Sequence, residues 1–282
     1  MQCISTKKEL RAVVKKLRAA NRTIGFVPTM GFLHDGHLSL IRKARSENDV
    51  VVVSVFVNPT QFGANEDLEA YPRNHQRDQA LMEAEKTDIA FFPTIGELYP
   101  DGYSTYVQVE GHITENLCGR SRPGHFRGVA TIVTKLFNLV SPDKAYFGQK
   151  DAQQVAVIIR MAEDLDMDLE IVPCPTVRES DGLAMSSRNT YLSPEHRRQA
   201  PGIYQALEAA RAAIEAGERK GSEVIRAVRN GISAIPEAEI EYIEVVDART
   251  LSPLETVSGP VLIAAAVNVG HTRLIDNIRF DI

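Results

Sequence analysis

The chain has 282 residues, enough for two domains at roughly 150 residues each. Apolar residues supply 44% and charged residues 24%, the balance of a folded globular protein, which excludes disorder as the main state. Lys and Arg number 32 against 37 Asp and Glu, a formal charge of −5, so wrapping of nucleic acid, which needs surplus cations, is excluded too.

From the N-terminus, Thr6 and Glu9 read as a capping box, and Leu10, Val13, Val14 and Leu17 follow at helical spacing. A short strand is expected at 23–27, stopping at Pro28. A turn-rich stretch then leads into a helix near 37–45 with Leu38, Ile41 and Ala44 on one face. The almost unbroken β-branched run at 50–57 is what a parallel strand covered on both faces looks like. Helices are expected at 74–85, 129–140 and 152–164, and strands at 89–92, 105–109, 144–147 and 169–172. This alternation predicts an α/β fold, a doubly wound Rossmann-like parallel sheet. Past Pro173 and Pro175 the character changes. Ala- and charge-rich helices are expected at 194–216 and 222–233, and strands at 239–246 and 261–267. The expected division is therefore 1–176, carrying the sheet, and 177–282, a smaller α+β C-terminal domain acting as a lid.

Cys3, Cys118 and Cys174 lie far apart with no C-x-x-C pair, as expected of reduced thiols in a cytoplasmic protein. The first residues have no apolar core of a signal peptide. No apolar run approaches the ~18 residues of a membrane helix, so no membrane partner is expected.

In an open parallel sheet the first strand-to-helix junction normally holds a nucleotide. Neither a G-x-G-x-x-G nor a working P-loop stands there; Gly31 and Gly36 have P-loop spacing, but His37 and Leu38 replace Lys and Ser/Thr. What stands there is His34-Asp35-Gly36-His37. Two imidazoles at a helix N-terminus, beside a glycine that lets a nucleotide approach, suit phosphate binding and stabilisation of charge on a transferring phosphate. A plain turn with an N-capping Asp and two solvated histidines fits the same residues. Zinc is disfavoured, with no H-E-x-x-H or nearby Cys.

The stretch TMGFLHDGHLSL (29–40) resembles the HIGH-motif nucleotidyl-transferring superfamily. More narrowly, with FVNPTQF (56–62), YPR (71–73), RPGHFRGV (122–129), YFGQKDAQQ (146–154) and MSSRN (185–189), it resembles the pantoate–β-alanine ligase family. The match spans about two-thirds of the chain. The resemblance implies ATP-dependent condensation of pantoate with β-alanine through a pantoyl adenylate, with Mg²⁺ and as a homodimer.

Asn58 and Gln61 follow a central strand, where neutral amides can fix hydroxyls and a carboxylate; an Asx-type turn explains Asn58 equally well. The resemblance makes Gln61 a contact of pantoate and β-alanine, and Gln154 and Met30 contacts of pantoate. Lys150 and Asp151 begin another strand-to-helix junction, where a lysine suits the β- and γ-phosphates and the Asp suits ribose or a helix cap. By resemblance, Gly148, Gln149, Lys150 and Asp151 bind ATP, as do Met30, Gly31, His34, Gly36 and His37, and Val177 lines the adenine pocket. Met185, Ser186, Ser187 and Arg188 suit a flexible clamp on polyphosphate, or an ordinary Ser-rich linker. The related KMSKS loop carries more cations than this segment, whose one cation, Arg188, throws weight onto Lys150. His37, His34, Lys150 and Arg188 are the expected catalytic residues. Arg122 and His125 are further candidates. Asp78 is a candidate Mg²⁺ ligand or a solvated helix carboxylate.

Two rivals share these motifs. A nucleotidyltransferase with a phosphate acceptor would want a cationic acceptor site, where neutral amides stand instead. A non-catalytic nucleotide-binding protein would show eroded His34, His37 or Lys150, and all three are intact.

Overall fold

The computed structural model describes residues 1–64 and 66–282. In chain order its elements begin with β1 (Gln2–Ile4), α1 (Lys7–Ala19), β2 (Ile24–Thr29), α2 (Asp35–Glu47), β3 (Val50–Val55), α3 (His75–Ala84), β4 (Ile89–Phe91) and α4 (Ile95–Leu98). There follow α5 (His112–Glu115), α6 (Leu117–Ser121), α7 (His125–Val140), β5 (Lys144–Gly148), α8 (Ala152–Asp164) and β6 (Glu170–Cys174). The C-terminal part contains α9 (Pro194–Gln199), α10 (Gly202–Glu215), α11 (Gly221–Ser233), β7 (Ala238–Asp247), β8 (Pro260–Val269) and β9 (Thr272–Asp281).

The chain gathers into two units. The first is Met1–Val109, Pro123–Gln149 and Val157–Pro175; the second is Glu110–Arg122, Lys150–Ala156 and Thr176–Ile282. This differs from a single cut after 176, because two earlier segments are tied to the C-terminal part by long-range bonds. Asn116 Nδ2 donates to Leu251 O at 3.0 Å, Arg120 pairs with Glu244 at 2.6 Å, and the Lys150 carbonyl accepts from Asn277 at 2.9 Å.

The first unit is a six-stranded parallel sheet in the order β1-β4-β3-β2-β5-β6. From β2 the chain winds outward through β3 to β4, then returns to place β5 on the other side of β2. The switch point, where open α/β sheets bind ligands, is thus at the carboxyl ends of β2 and β5. All six residues of β3 are buried, as the valine run predicts.

β2 runs through Pro28 to Thr29 instead of stopping at the proline. The Thr23 and Thr29 carbonyls accept from Val50 N and Phe56 N, and the Ile24 carbonyl accepts from Asp143 N, so even-numbered residues of β2 face β5. β5 pairs only with Gly25 and Phe26. Pro28 faces that side where the ladder has already ended, so its missing N–H costs no bond. Pro173 is tolerated likewise, because β6 is an edge strand.

Residues 105–109, expected as a strand, join no sheet. Val107 N instead donates to Thr131 Oγ1 at 2.9 Å, so extended backbone finds a side-chain partner rather than a neighbouring strand.

The second unit holds the antiparallel sheet β7-β8-β9. Ile203, Leu207 and Ile214 of α10 and Val224, Val228 and Ile232 of α11 share its core with Ile243, Val245, Ile263 and Val267 of the sheet. The single helix expected over 194–216 is two, α9 and α10, broken at Pro201, which has no N–H to continue the first. β9 has no counterpart in the expected strands. Its charged Arg273 and Asp276 disguise it, yet both are paired, with Glu241 at 2.7 Å and Arg178 at 2.7 Å. No helix among the described residues is long and apolar enough to cross a membrane.

Candidate active site

In the first unit, the carboxyl end of β2 runs into a tight loop before α2. Gly31 has φ +85°, and a Cβ there would lie 2.9 Å from Val55 Cγ1, so the loop needs glycine for both backbone angle and space. Phe32 follows at φ +50°. Asp78 of α3 holds this turn, its two carboxylate oxygens accepting Phe32 N at 2.8 Å and Leu33 N at 2.7 Å. Arg77 adds a bond to Leu33 O at 2.8 Å and lies 5.2 Å from the centre of the Phe32 ring. Asp78 is fully buried, which corrects its expected place as a solvated carboxylate. Each of its oxygens is engaged by a backbone amide, which gives it a structural part in the turn. Among the described residues no group of three His, Cys, Asp or Glu could hold a metal ion.

The loop delivers His34 to the N-cap of α2 and His37 to its first turn, with ring centres 4.1 Å apart. His34 N donates to His37 Nδ1 at 3.3 Å. A ring nitrogen that accepts has no hydrogen, so the neutral His37 ring carries its proton on Nε2. Asp35 and Gly36 complete the helix start, where free N–H groups and the dipole favour an anion.

Beyond β3, Asn58 is buried and spent internally. Its Oδ1 accepts from Tyr99 OH at 2.9 Å and Thr60 Oγ1 at 3.0 Å, and its Nδ2 donates to Gln61 Oε1 and Gly128 O, both at 3.1 Å. The turn explanation of Asn58 therefore holds. Burial pushes the Tyr99 hydroxyl up to about 12. Asn58 orients Gln61, whose Nε2 lies 3.1 Å from Met30 Sδ. These two expected pantoate contacts are thus brought together. His125 sits behind them with Nδ1 2.8 Å from the Gln61 carbonyl oxygen; since a carbonyl only accepts, Nδ1 carries the proton there.

Gly128 of α7 lets that helix touch the 58–61 turn. A Cβ at 128 would lie 2.3 Å from Thr60 O, a backbone atom. Gly128→Ala is therefore expected to destabilise the protein by about 1–3 kcal/mol, although alanine is the better helix former by about 1 kcal/mol. Urea unfolding measures it; a midpoint equal to or above the parent's would refute the close approach.

Gly148 ends β5 with open space where a Cβ would lie, and Gln149 follows, half-buried. The chain enters the second unit at Lys150. There Arg122, Lys150, Asp151, Ser186, Arg188, Arg273 and Asp276 line one cavity. Two of the charged groups in this lining are paired, Asp276 Oδ2 lying 2.7 Å from Arg178 Nη1 and Arg273 Nε 2.7 Å from Glu241 Oε2. Lys150 Nζ stands 3.9 Å from Asp151 Oδ1.

Ser186 Oγ accepts Arg188 N at 3.2 Å and opens a 3₁₀ turn, Ser187–Tyr191, in which Ser187 is buried. Met185 N donates to Val177 O at 3.0 Å, joining two residues expected near the nucleotide. Gln154 is half-buried in the second unit; its neighbour Gln153 is the buried one, donating to Asn116 O at 2.7 Å. Nothing in the sequence marks Arg77, Tyr99, Arg178 or Asn277 as supports, because each partner lies 40 or more residues away.

A model of the family described as pantoate-beta-alanine ligase matches residues 2–279. A pantothenate synthetase of Thermotoga petrophila is 55% identical over 277 residues, 98% of this chain and 99% of that protein. The crystal structure of pantothenate synthetase from Thermus thermophilus superposes with a TM-score of 0.94 at 48% identity, covering 99% of both chains. The pantoate-beta-alanine ligase of Francisella tularensis, solved in complex with beta-gamma ATP and beta-alanine, gives a TM-score of 0.81 at 35% identity over 99% of this chain and 97% of that one. With a parallel sheet whose switch point carries the paired histidines, and a match running from end to end, the chain belongs to the pantoate–β-alanine ligase family.

Proposed function

We propose that this enzyme condenses pantoate with β-alanine at the expense of ATP, through a pantoyl-adenylate intermediate. The observation that carries the reading is the pair of imidazoles at the N-terminus of α2, at the carboxyl edge of the sheet of a family member. A pantoate carboxylate oxygen attacks the α-phosphorus, an O–P bond forms, and the bond to pyrophosphate breaks. The β-alanine nitrogen then attacks the acyl carbon, a C–N bond forms, AMP departs and the amine gives up its proton.

No protein nucleophile is required, so the residues position substrates and stabilise charge. His37 and His34 donate to the nucleotide's phosphates with Met30, Gly31 and Gly36 shaping the approach. Lys150 and Arg188 supply cations, with Ser186, Ser187, Met185, Gly148, Gln149, Asp151 and Val177 contacting ATP. Gln61 binds pantoate and β-alanine; Met30 and Gln154 bind pantoate. Mg²⁺ enters with the triphosphate as part of the substrate. A cytoplasmic homodimer is the state the family resemblance implies.

ATP–pyrophosphate exchange tests the reading. Exchange is expected to require pantoate and to proceed without β-alanine. Exchange that ignores pantoate but responds to a mononucleotide acceptor would favour a nucleotidyltransferase instead.

A further inference from the structure

We propose that Asn277, on β9, is a positioning residue for Lys150. The inference rests on the reading above that Lys150 serves the nucleotide's phosphates. Asn277 does not line the cavity that holds Lys150; it reaches the lysine through the backbone, donating from Nδ2 to the Lys150 carbonyl at 2.9 Å. Asn277 is only 8% exposed, and the bond is partly buried.

The strand around Asn277 is itself fixed. Asp276 Oδ1 accepts Asn277 N at 2.7 Å, and both Asp276 oxygens pair with Arg178, at 2.7 and 2.9 Å. Arg178 also donates to Asn277 O at 3.2 Å and lies 3.7 Å from the centre of the Tyr204 ring. A bidentate ion pair on a buried carboxylate, stacked on an aromatic ring, is a rigid support. Arg178 reaches Gly182 O as well, at 3.1 Å, in the segment leading to Ser186 and Arg188. Both cationic stretches are therefore referenced to the same two residues of β9.

Lys150 needs such a reference. Its ammonium is 3.9 Å from Asp151, too far for a tight pair, and a lysine side chain is a flexible four-carbon stem. Fixing its carbonyl limits the volume its ammonium can explore, which matters because misplacement by about 1 Å can cost 10²-fold in rate.

A double-mutant cycle in the pantoate-dependent ATP–pyrophosphate exchange assay tests the role, with wild type, Asn277→Ala, Lys150→Ala and the double variant. Asn277→Ala is expected to lower kcat by about 10-fold, with the KM for pantoate unchanged and the protein still folded at the assay temperature. Lys150→Ala is expected to lose at least about 10-fold, and adding Asn277→Ala to it should cost less than about 2-fold more. Asn277→Ser, which keeps a shorter donor, should recover part of the loss and carries the same cycle if the alanine variant does not fold. Equal losses in both backgrounds, or no loss from Asn277→Ala beside a crippled Lys150→Ala, would overturn the positioning role. Full exchange by Lys150→Ala would instead overturn the phosphate role of Lys150, and this inference with it.

Discussion

Replacing His37 by alanine is expected to lower kcat for pantothenate formation by about 10²–10³-fold, the usual cost of one lost donor to developing charge. His34 N donates to its Nδ1 at 3.3 Å, so the neutral ring carries its proton on Nε2. The same bond is long, and His37 is half-buried at the start of α2. Losing it should therefore cost no more than about 1 kcal/mol of stability, as for a weak cap. The two numbers separate the roles: steady-state kinetics should collapse while the urea midpoint barely moves. Turnover within a few-fold of wild type, or an unfolded variant, would return His37 to a helix-capping part. ATP–pyrophosphate exchange should fall along with the complete reaction, because the proposed donor acts when the α-phosphorus is attacked.

The parallel sheet was legible because its strands announce themselves chemically. Val50–Val55 is apolar on both faces and has to be covered on both. The paired histidines were legible because the helix start and its motif are contiguous. What could not be read are contacts made by folding alone. Nothing local predicts that Asn277 holds Lys150, 127 residues earlier, or that Asp276 partners Arg178 across 98 residues. β9 was hidden for a related reason. Its Arg273 and Asp276 look like solvent-facing charges, and only their partners Glu241 and Arg178 permit them in a half-buried strand. At 105–109 the failure ran the other way, since alternation without a neighbouring strand makes no sheet, and Thr131 took the hydrogen bond instead. The proline rule erred at Pro28 because its cost depends on which side of the ladder the nitrogen faces.

Asp78→Ala is expected to destabilise the protein by about 2–5 kcal/mol, because it strands two amides that both donated to a charged group. Those amides, Phe32 N and Leu33 N, belong to the loop that sets His34 at the cap of α2. Gly31 in the same loop is held against Val55 and Asp78 Oδ2, at 2.9 and 3.0 Å from where a Cβ would be. Phe32 is kept at φ +50°, a conformation that costs a non-glycine residue energy and persists only under constraint. With the carboxylate gone, the strain has an outlet, and the histidine pair loses its fixed approach. Activity should therefore fall further than the lost stability accounts for, even at temperatures where the variant is fully folded. Asp78→Asn makes a sharper test, since it keeps the size but turns one acceptor into a donor facing an N–H. Differential scanning calorimetry beside kcat at low temperature gives both quantities. A magnesium ligand at this position would behave in the opposite way: an unchanged melting temperature, and activity restored by raising Mg²⁺. Restoration of that kind would displace the structural role, whereas a lowered midpoint that magnesium cannot repair ties the loop of the paired histidines to a single buried carboxylate.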